Sequence, residues 1–132
     1  MNKQLFLAAK AASVNSYAIF SHFTVSAALL LNDGRIYTGV NIENSSYPLS
    51  MCAERVCIFK AYSEGVRKDD IKSILIYHPG DSIIPYPCGA CRQVMSDLLK
   101  GDAIVTVAND SKFENYTVSS LLPNSFSKEA LE

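Results

Sequence analysis

Apolar residues along the chain recur first at helical spacing and then in runs of strand length. A helix capped by Asn2 and ending at about Ser13 is predicted by a single apolar stripe, made of Leu5, Ala8, Ala9 and Ala12. Residues 24–31 form an apolar run typical of a strand buried on both faces. The turn-forming residues 32–34 and the segment 35–40 then predict an antiparallel hairpin.

The rest of the chain alternates helices with strands. An irregular loop, 41–51, leads to a helix from about Met51 to Glu64, with Ser50 as its N-cap and Gly65 as its stop. We expect its sheet-facing side to consist of Val56, Cys57, Phe59 and Ala61. Strand 73–77, helix 89–100 ending at Gly101, strand 103–108 and a short fifth strand ending at 116–118 follow. This order predicts an α/β fold in one domain, 1–132, with a mixed five-stranded sheet covered by helices.

The composition argues against a membrane-spanning protein and against a nucleic-acid-binding protein. The 132 residues are 48% hydrophobic and 19% charged, with a formal net charge of −1. No apolar run is long enough to span a membrane, and no dense Lys/Arg stretch would neutralise a nucleic-acid backbone. The N-terminus lacks the apolar segment of a signal peptide, so we expect a cytoplasmic protein without a membrane or nucleic-acid partner.

Three cysteines and one carboxylate carry the candidate chemistry. Cys88 and Cys91 are spaced Cys-x-x-Cys at a predicted helix start, and Cys52 can supply a third thiolate. Three protein ligands leave one position of a tetrahedral zinc site open for water, which is typical of a catalytic site. Glu54 stands two residues from a ligand and can move the proton of that water.

The four cysteines could also form disulfides or a closed structural zinc site. Two disulfides are disfavoured, because Cys-x-x-Cys in a reduced compartment first indicates a metal or redox site. Cys57 could instead close a structural zinc site. However, Cys52 and Cys57 lie on one predicted helix, where ~100° per residue separates them by about 140°. Cys57 is therefore predicted to be a buried apolar residue.

The blocks around these cysteines resemble the small zinc-dependent cytidine deaminases. The resemblance rests on Cys52-Ala53-Glu54 and on residues 87–93, Pro-Cys-Gly-Ala-Cys-Arg-Gln. It extends over nearly the whole chain through the segments 21–29, 39–44, 46–49 and 121–126. The chain departs from the family at Ser26, where glycine is usual, and at Phe20, where tyrosine is common.

The resemblance implies a three-layer cytidine-deaminase-like fold and one zinc per chain, bound by Cys52, Cys88 and Cys91. The reaction implied is hydrolytic deamination of cytidine and deoxycytidine in pyrimidine salvage, with Glu54 as the catalytic proton carrier. Arg55 would bond to the ligand sulfurs and offset their charge. The helix N-termini that carry the thiolates would add to this compensation.

The substrate contacts are also expected from the resemblance. In the family, the residues matching Asn41 and Glu43 bind ribose, the backbone N–H of Ala53 bonds to pyrimidine O2, and Phe23 packs beside the ring. From the residues alone, Asn41 and Glu43 equally suit an Asx turn with a solvated carboxylate.

The resemblance further implies a homotetramer with shared active sites. Phe126 would reach a neighbour's pocket, and Ser45 and Tyr47 would also line neighbouring sites. The apolar C-terminal segment 121–126 agrees with a docked tail. Two alternatives remain: a deaminase of the blasticidin S type, which shares the zinc motifs, and a closed structural zinc module, which leaves Glu54 unexplained.

Overall fold

The computed structural model describes residues 1–131. Its helices and strands are α1 (Lys3–Ala12), β1 (Ser26–Leu31), β2 (Ile36–Val40), α2 (Ala53–Ser63), β3 (Ile71–Tyr77), α3 (Gly89–Leu98), β4 (Ile104–Ala108), β5 (Phe113–Thr117) and α4 (Val118–Leu121). Four short 3-10 turns lie at Ser13–Asn15, Tyr47–Leu49, Lys68–Asp70 and Lys128–Leu131. Within residues 1–131, no helix combines the length and the apolar run that a bilayer crossing requires.

The five strands form one mixed sheet in the order β2-β1-β3-β4-β5. Strands β3 and β4 run parallel, with Leu75 opposite Thr106, and the other neighbouring pairs are antiparallel. The predicted hairpin is present, with Ala27 of β1 opposite Gly39 of β2. The mixed five-stranded sheet predicted from the sequence is thus confirmed.

Helices cover both faces of the sheet and make three layers. On one face, Leu5 and Ala9 of α1 pack in a buried cluster with Leu75 and Tyr77 of β3. On the other face, α2 and α3 bury their apolar sides in a larger cluster that includes Cys57. Helix α1 begins as predicted, because Asn2 Oδ1 accepts the backbone N–H of Leu5 at 3.0 Å.

The predicted details of α2 were partly wrong. Its N-cap is Cys52, whereas the hydroxyl of Ser50 accepts the N–H of Asn44 in the preceding loop. Its buried face includes Ile58 as well as Cys57, whereas Phe59 is 42% exposed and Val56 is only partly buried. Apolar residues occur on all sides of this helix, so their spacing did not select the face that packs.

The two predicted glycine stops differ in outcome. Gly65 has φ +98°, and the N–H groups of Gly65 and Val66 bond to the carbonyls of Tyr62 and Ala61, which is the Schellman pattern. Gly101 does not have a positive φ, and α3 ends earlier, at Leu98. The stop predicted at Gly101 was therefore wrong.

A close approach between β2 and α2 fixes the height of that helix above the sheet. A side chain on Gly39 would lie 2.6 Å from the backbone N of Cys57 and 2.8 Å from the carbonyl O of Ala53. Only a residue without Cβ fits there.

Ser26, where the family usually has glycine, is buried at the start of β1. Its hydroxyl donates to the carbonyl of Ala9 at 2.6 Å, so the added side chain has a hydrogen-bond partner.

Candidate active site

Three thiols from two helix starts come together beside the sheet. Cys52 and Cys88 occupy the N-cap positions of α2 and α3, and Cys91 lies in the first turn of α3. The Sγ atoms of Cys52 and Cys88 are 3.8 Å apart, those of Cys88 and Cys91 are 3.6 Å apart, and all three lie within 4.8 Å of one another. A local motif and one distant residue therefore make a compact sulfur cluster.

These distances fit a zinc ion. Two sulfurs on a tetrahedral zinc, each about 2.3 Å from the metal, are about 3.8 Å apart. Zinc needs thiolates, and a hydrogen bond from the Cys91 thiol lowers the pKa of Cys52 to about 5. The same bond, with burial, raises the pKa of Cys91 above its usual value.

Cys57 lies apart from the sulfur cluster. It is fully buried and donates its thiol to the carbonyl of Tyr37 at 3.2 Å. Burial raises the pKa of this thiol to about 12, which disfavours the thiolate that a metal would need. The four-cysteine structural site therefore finds no support in the geometry.

Arg55 places a positive charge against the sulfurs. Its Nη2 lies 3.4 Å from Cys52 Sγ, and this contact raises the pKa of the guanidinium. Its Nε is buried and has no hydrogen-bond partner within residues 1–131. A guanidinium this close to the cluster offsets part of the excess negative charge of three thiolates.

Glu54 is a buried carboxyl beside the sulfur cluster. Its side chain belongs to the first turn of α2, only 4% of the residue is exposed, and it lines a cavity of about 650 Å³ together with Cys52 and Cys88. Burial, with a further contribution from the charge on Cys52, raises the pKa of this carboxyl to about 7. A carboxyl with a pKa near neutrality can both accept and return a proton.

The cavity collects most of the residues predicted for the site. Those that line it are Phe23, Asn41, Glu43, Tyr47, Cys52, Ala53, Glu54 and Cys88. Cys91 and Arg55 are not among the lining residues, but Arg55 contacts Cys52 and Cys91 contacts Cys88. Ser45 and Phe126 are exposed and outside the lining set of this chain's own cavity.

Asn41 and Glu43 are already bonded within the chain. The Asn41 amide donates to the Phe23 carbonyl at 2.7 Å and accepts from the N–H of Val25 at 3.0 Å. Glu43 Oε1 accepts the N–H groups of Phe20 and Ser21, both at 3.0 Å. A hydrogen bond from the Ser21 hydroxyl, together with these backbone bonds, lowers the pKa of Glu43 and favours its ionised form. Both side chains therefore hold the cavity wall, whatever else they bind.

Phe23 is supported from behind by a histidine. The rings of Phe23 and His78 stack with centroids 4.2 Å apart and planes 17° apart. His78 Nδ1 lies 2.7 Å from the Thr24 carbonyl, which can only accept, so Nδ1 carries the proton. His78 is thus a neighbour of the site and no part of the sulfur cluster.

Comparison with known proteins decides the family. Residues 1–108 match the family model described as the cytidine and deoxycytidylate deaminase zinc-binding region. The chain is 44% identical to cytidine deaminase of Halalkalibacterium halodurans over 98% of this chain and 97% of the relative. It is 43% identical to that of Sporosarcina psychrophila over 98% and 93% of the two chains. The chain belongs to the cytidine deaminase family.

Solved structures agree with this assignment. The crystal structure of cytidine deaminase from Burkholderia pseudomallei superimposes with a TM-score of 0.90 at 39% identity, covering 96% of this chain and 99% of that one. The cytidine deaminase of Mycobacterium tuberculosis gives a TM-score of 0.78 at 30% identity, covering 94% and 95%. The predicted fold and hydrolase class are thereby confirmed, and the zinc-binding family model together with the cluster of three cysteines confirms the zinc cofactor.

One wall of this cytidine deaminase site was missed from the sequence. Ile84, Pro85 and Tyr86 line the cavity from the loop between β3 and α3, and Ser21 and Met51 line it elsewhere. The sequence did contain a signal for Tyr86, which lies between two prolines just before Cys88. Proline on both sides restricts the backbone of such a residue and fixes its position near the cysteine.

Proposed function

We propose that this protein hydrolyses cytidine and deoxycytidine to uridine and deoxyuridine with release of ammonia, as a step of pyrimidine salvage. The observation that carries the proposal is the placement of Glu54, a buried carboxyl that lines one cavity with two members of a three-thiol cluster. A cavity of about 650 Å³ has the size typical of small-molecule sites, which supports a nucleoside substrate. The four free thiols also support a cytoplasmic location, because reducing conditions preserve thiol ligands.

In the proposed reaction, Cys52, Cys88 and Cys91 would hold zinc, which would supply a Lewis acid that lowers the pKa of water toward neutrality. Glu54 takes a proton from the attacking water, delivers it to N3 of the pyrimidine, and carries the second proton to the leaving amine. A C4–O bond forms and the C4–N4 bond breaks, so cytidine and water become uridine and ammonia.

The other residues in this proposal orient the pyrimidine. The backbone N–H of Ala53 is in the first turn of α2, where it has no intrahelical acceptor, and we assign it to pyrimidine O2. Phe23 packs beside the ring, held by His78. Arg55 stays charged next to Cys52 and limits the electron density that the thiolates donate.

The test of this function compares substrates side by side. Ammonia release is measured from cytidine, deoxycytidine, cytosine, blasticidin S and a cytosine-containing oligonucleotide. We expect the two nucleosides to be preferred. A higher kcat/KM for blasticidin S would instead assign the chain to that second class of deaminase. No release from any substrate by the zinc-loaded protein would favour the structural zinc module.

We assign the sugar end of the site to Asn41 and Glu43. Their exposure to the cavity supports this role, although both also hold the wall. Asn41→Ala and Glu43→Ala should reduce kcat/KM for cytidine more than for cytosine, because each lost sugar contact costs about 1–3 kcal/mol. Asn32→Ala, in the β1–β2 turn, is the control. Equal losses on the two substrates would mean that the pair serves only the wall.

We also propose a homotetramer in which neighbouring chains complete each site. Phe126 supports this, because its side chain is 62% exposed while Gln93 Nε2 holds its backbone carbonyl at 3.0 Å. An anchored segment that presents an aromatic ring away from its own cavity suits contact with a second copy. Ser45 and Tyr47 lie on the loop that such a copy would meet.

Complementation tests the shared site. Glu54→Ala chains lack the proton carrier but keep Phe126, and Phe126→Ala chains have the opposite defect. When the two are unfolded, mixed and refolded, hybrids should contain some complete sites and exceed the summed activity of the separate variants. If hybrids form and Phe126→Ala is itself impaired, the absence of any gain would show that each site is built within one chain.

A further inference from the structure

Tyr86 is placed rigidly at the cavity wall. It lies between Pro85 and Pro87, two residues before Cys88, and its N–H donates to the carbonyl of Ile84 at 3.0 Å. Tyr86 is one of the residues that line the cavity, and it is 52% exposed. Proline on both sides restricts the backbone, so Tyr86 has few ways to move out of the wall.

Strand β5 holds the far end of this side chain. Tyr86 donates its hydroxyl to Glu114 Oε1 at 2.7 Å, and Tyr116 donates to the same oxygen at 2.5 Å. The two tyrosine rings meet edge to face, with centroids 6.4 Å apart. Glu114 and Tyr116 are not among the residues that line the cavity. Two donors on one carboxylate oxygen therefore fix a cavity residue from outside the cavity.

The position of Tyr86 relates to one edge of the substrate. Under the proposed function, C4 of the pyrimidine faces the sulfur cluster, and the two ring atoms beside C4 are N3 and C5. Glu54, on α2, serves N3. Tyr86 belongs to the other element that reaches the cluster, the loop before α3. The ring atom left for this wall is C5.

We propose that Tyr86 is a specificity-determining residue that bounds the C5 edge of the pyrimidine, and that Glu114 is the positioning residue that holds it there. The inference rests on the proposed function and narrows its substrate class to cytosine nucleosides unsubstituted at C5. We expect a phenol held beside C5 to disfavour a methyl group or a bromine atom at that position. Cytidine itself carries only hydrogen at that atom.

The test measures a discrimination ratio, defined as kcat/KM for cytidine divided by kcat/KM for a 5-substituted cytidine. 5-Methylcytidine and 5-bromocytidine are both used, because the two substituents are similar in size and opposite in electronic effect. One added methylene in a pocket typically changes kcat/KM by about 10–200-fold, so we expect a parent ratio of at least about tenfold for both. Tyr86→Ala should lower both ratios toward one.

Variants of the anchor separate positioning from general stability. Glu114→Ala should lower the two discrimination ratios several-fold, although Glu114 does not line the cavity. Glu114→Gln should keep them near the parent values, because its amide oxygen still accepts both tyrosine hydroxyls. The matched control is Glu64→Ala. Glu64 accepts the hydroxyl of Tyr37 at 3.2 Å, also as a tyrosine–glutamate pair, but outside the cavity lining. Its loss should leave the ratios unchanged.

Three results would overturn the inference. They are a parent ratio near one, an equal change in both kcat/KM values in Tyr86→Ala, and an effect of Glu114→Ala no larger than that of Glu64→Ala. If Tyr86→Ala does not fold, as judged by circular dichroism, Tyr86→Leu replaces it with the same expectation. Deamination of cytidine by the parent is measured first, so a failure of the proposed function is seen separately from a failure of this inference.

Discussion

Replacing Gly39 by alanine tests how the sheet positions α2. The new Cβ would lie 2.6 Å from the N of Cys57, 2.8 Å from the O of Ala53 and 2.9 Å from the Cα of Cys57. All three are backbone atoms, so no side chain can rotate away. Ordinary contact needs about 3.5 Å, so α2 must move by roughly 1 Å.

The expected cost follows from that displacement. Overpacking of this kind destabilises proteins by about 1–3 kcal/mol, and at this chain length each kcal/mol lowers Tm by roughly 3–6 °C. Helix α2 carries Cys52 and Glu54 at its first turn. A misplacement of about 1 Å near reacting groups can reduce the rate by about 10²-fold. Gly39→Ala should therefore lose both stability and kcat/KM.

The assay combines thermal unfolding, zinc content and kcat/KM for cytidine. Zinc content separates a shift of Glu54 from loss of the metal. Gly101→Ala is the matched control, because its Cβ would meet only the side chain of Ser119, at 3.6 Å. That variant should be neutral or slightly stabilising, by about 0.4–1 kcal/mol. Parent-like stability and kcat/KM in Gly39→Ala would refute the argument that close packing sets the height of α2.

The remaining predictions concern residues of the site and the carboxylate of Asp110. Glu54→Gln should keep its zinc but lose kcat by about 10²–10⁴-fold, and turnover within a few fold of the parent would remove Glu54 from the proton path. Cys57→Ser should bind zinc like the parent whereas Cys91→Ser should not, as metal analysis can show. The hydroxyl of Tyr77 lowers the pKa of Asp110 from 3.8 to about 2, so this carboxylate stabilises the fold above about pH 4 and the effect is lost as pH falls toward 2. Because its side chain is 35% exposed, Asp110→Asn should cost only about 1 kcal/mol at pH 7 by urea unfolding, with no cost near pH 2.

Local signals made the sulfur cluster predictable. Cys88 and Cys91 are close in sequence, and their spacing at a helix start already limits where their sulfurs point. The hairpin was equally local, since the turn residues lie between its two strands. The packing face of α2 was not local, because Phe59 and Ile58 are both apolar and only the tertiary contacts decide which of them is buried.

The parts of the site that escaped prediction depend on distant contacts. Tyr86 meets Glu114 only because β5 pairs with β4, which places Glu114 opposite Val107. The bonds of Asn41 to Phe23 and Val25 likewise join segments that have no common sequence pattern. Hydrogen-bond partners of single side chains leave no periodic trace, so spacing arguments cannot find them.

The placement of the cysteines at helix starts bears on how fast the metal can leave. Cys91 is fully buried in the first turn of α3, and the N–H of Arg92 closes that turn by bonding to the carbonyl of Cys88 at 3.0 Å. Of the three sulfurs, that of Cys91 should be the last to leave the metal, because solvent reaches it only when this turn opens. Zinc release should therefore saturate at high chelator concentration, at the rate of a local unfolding event. The amide of Arg92 should exchange its hydrogen at that same limiting rate. The rate of zinc loss would then measure the opening rate of the first turn of α3.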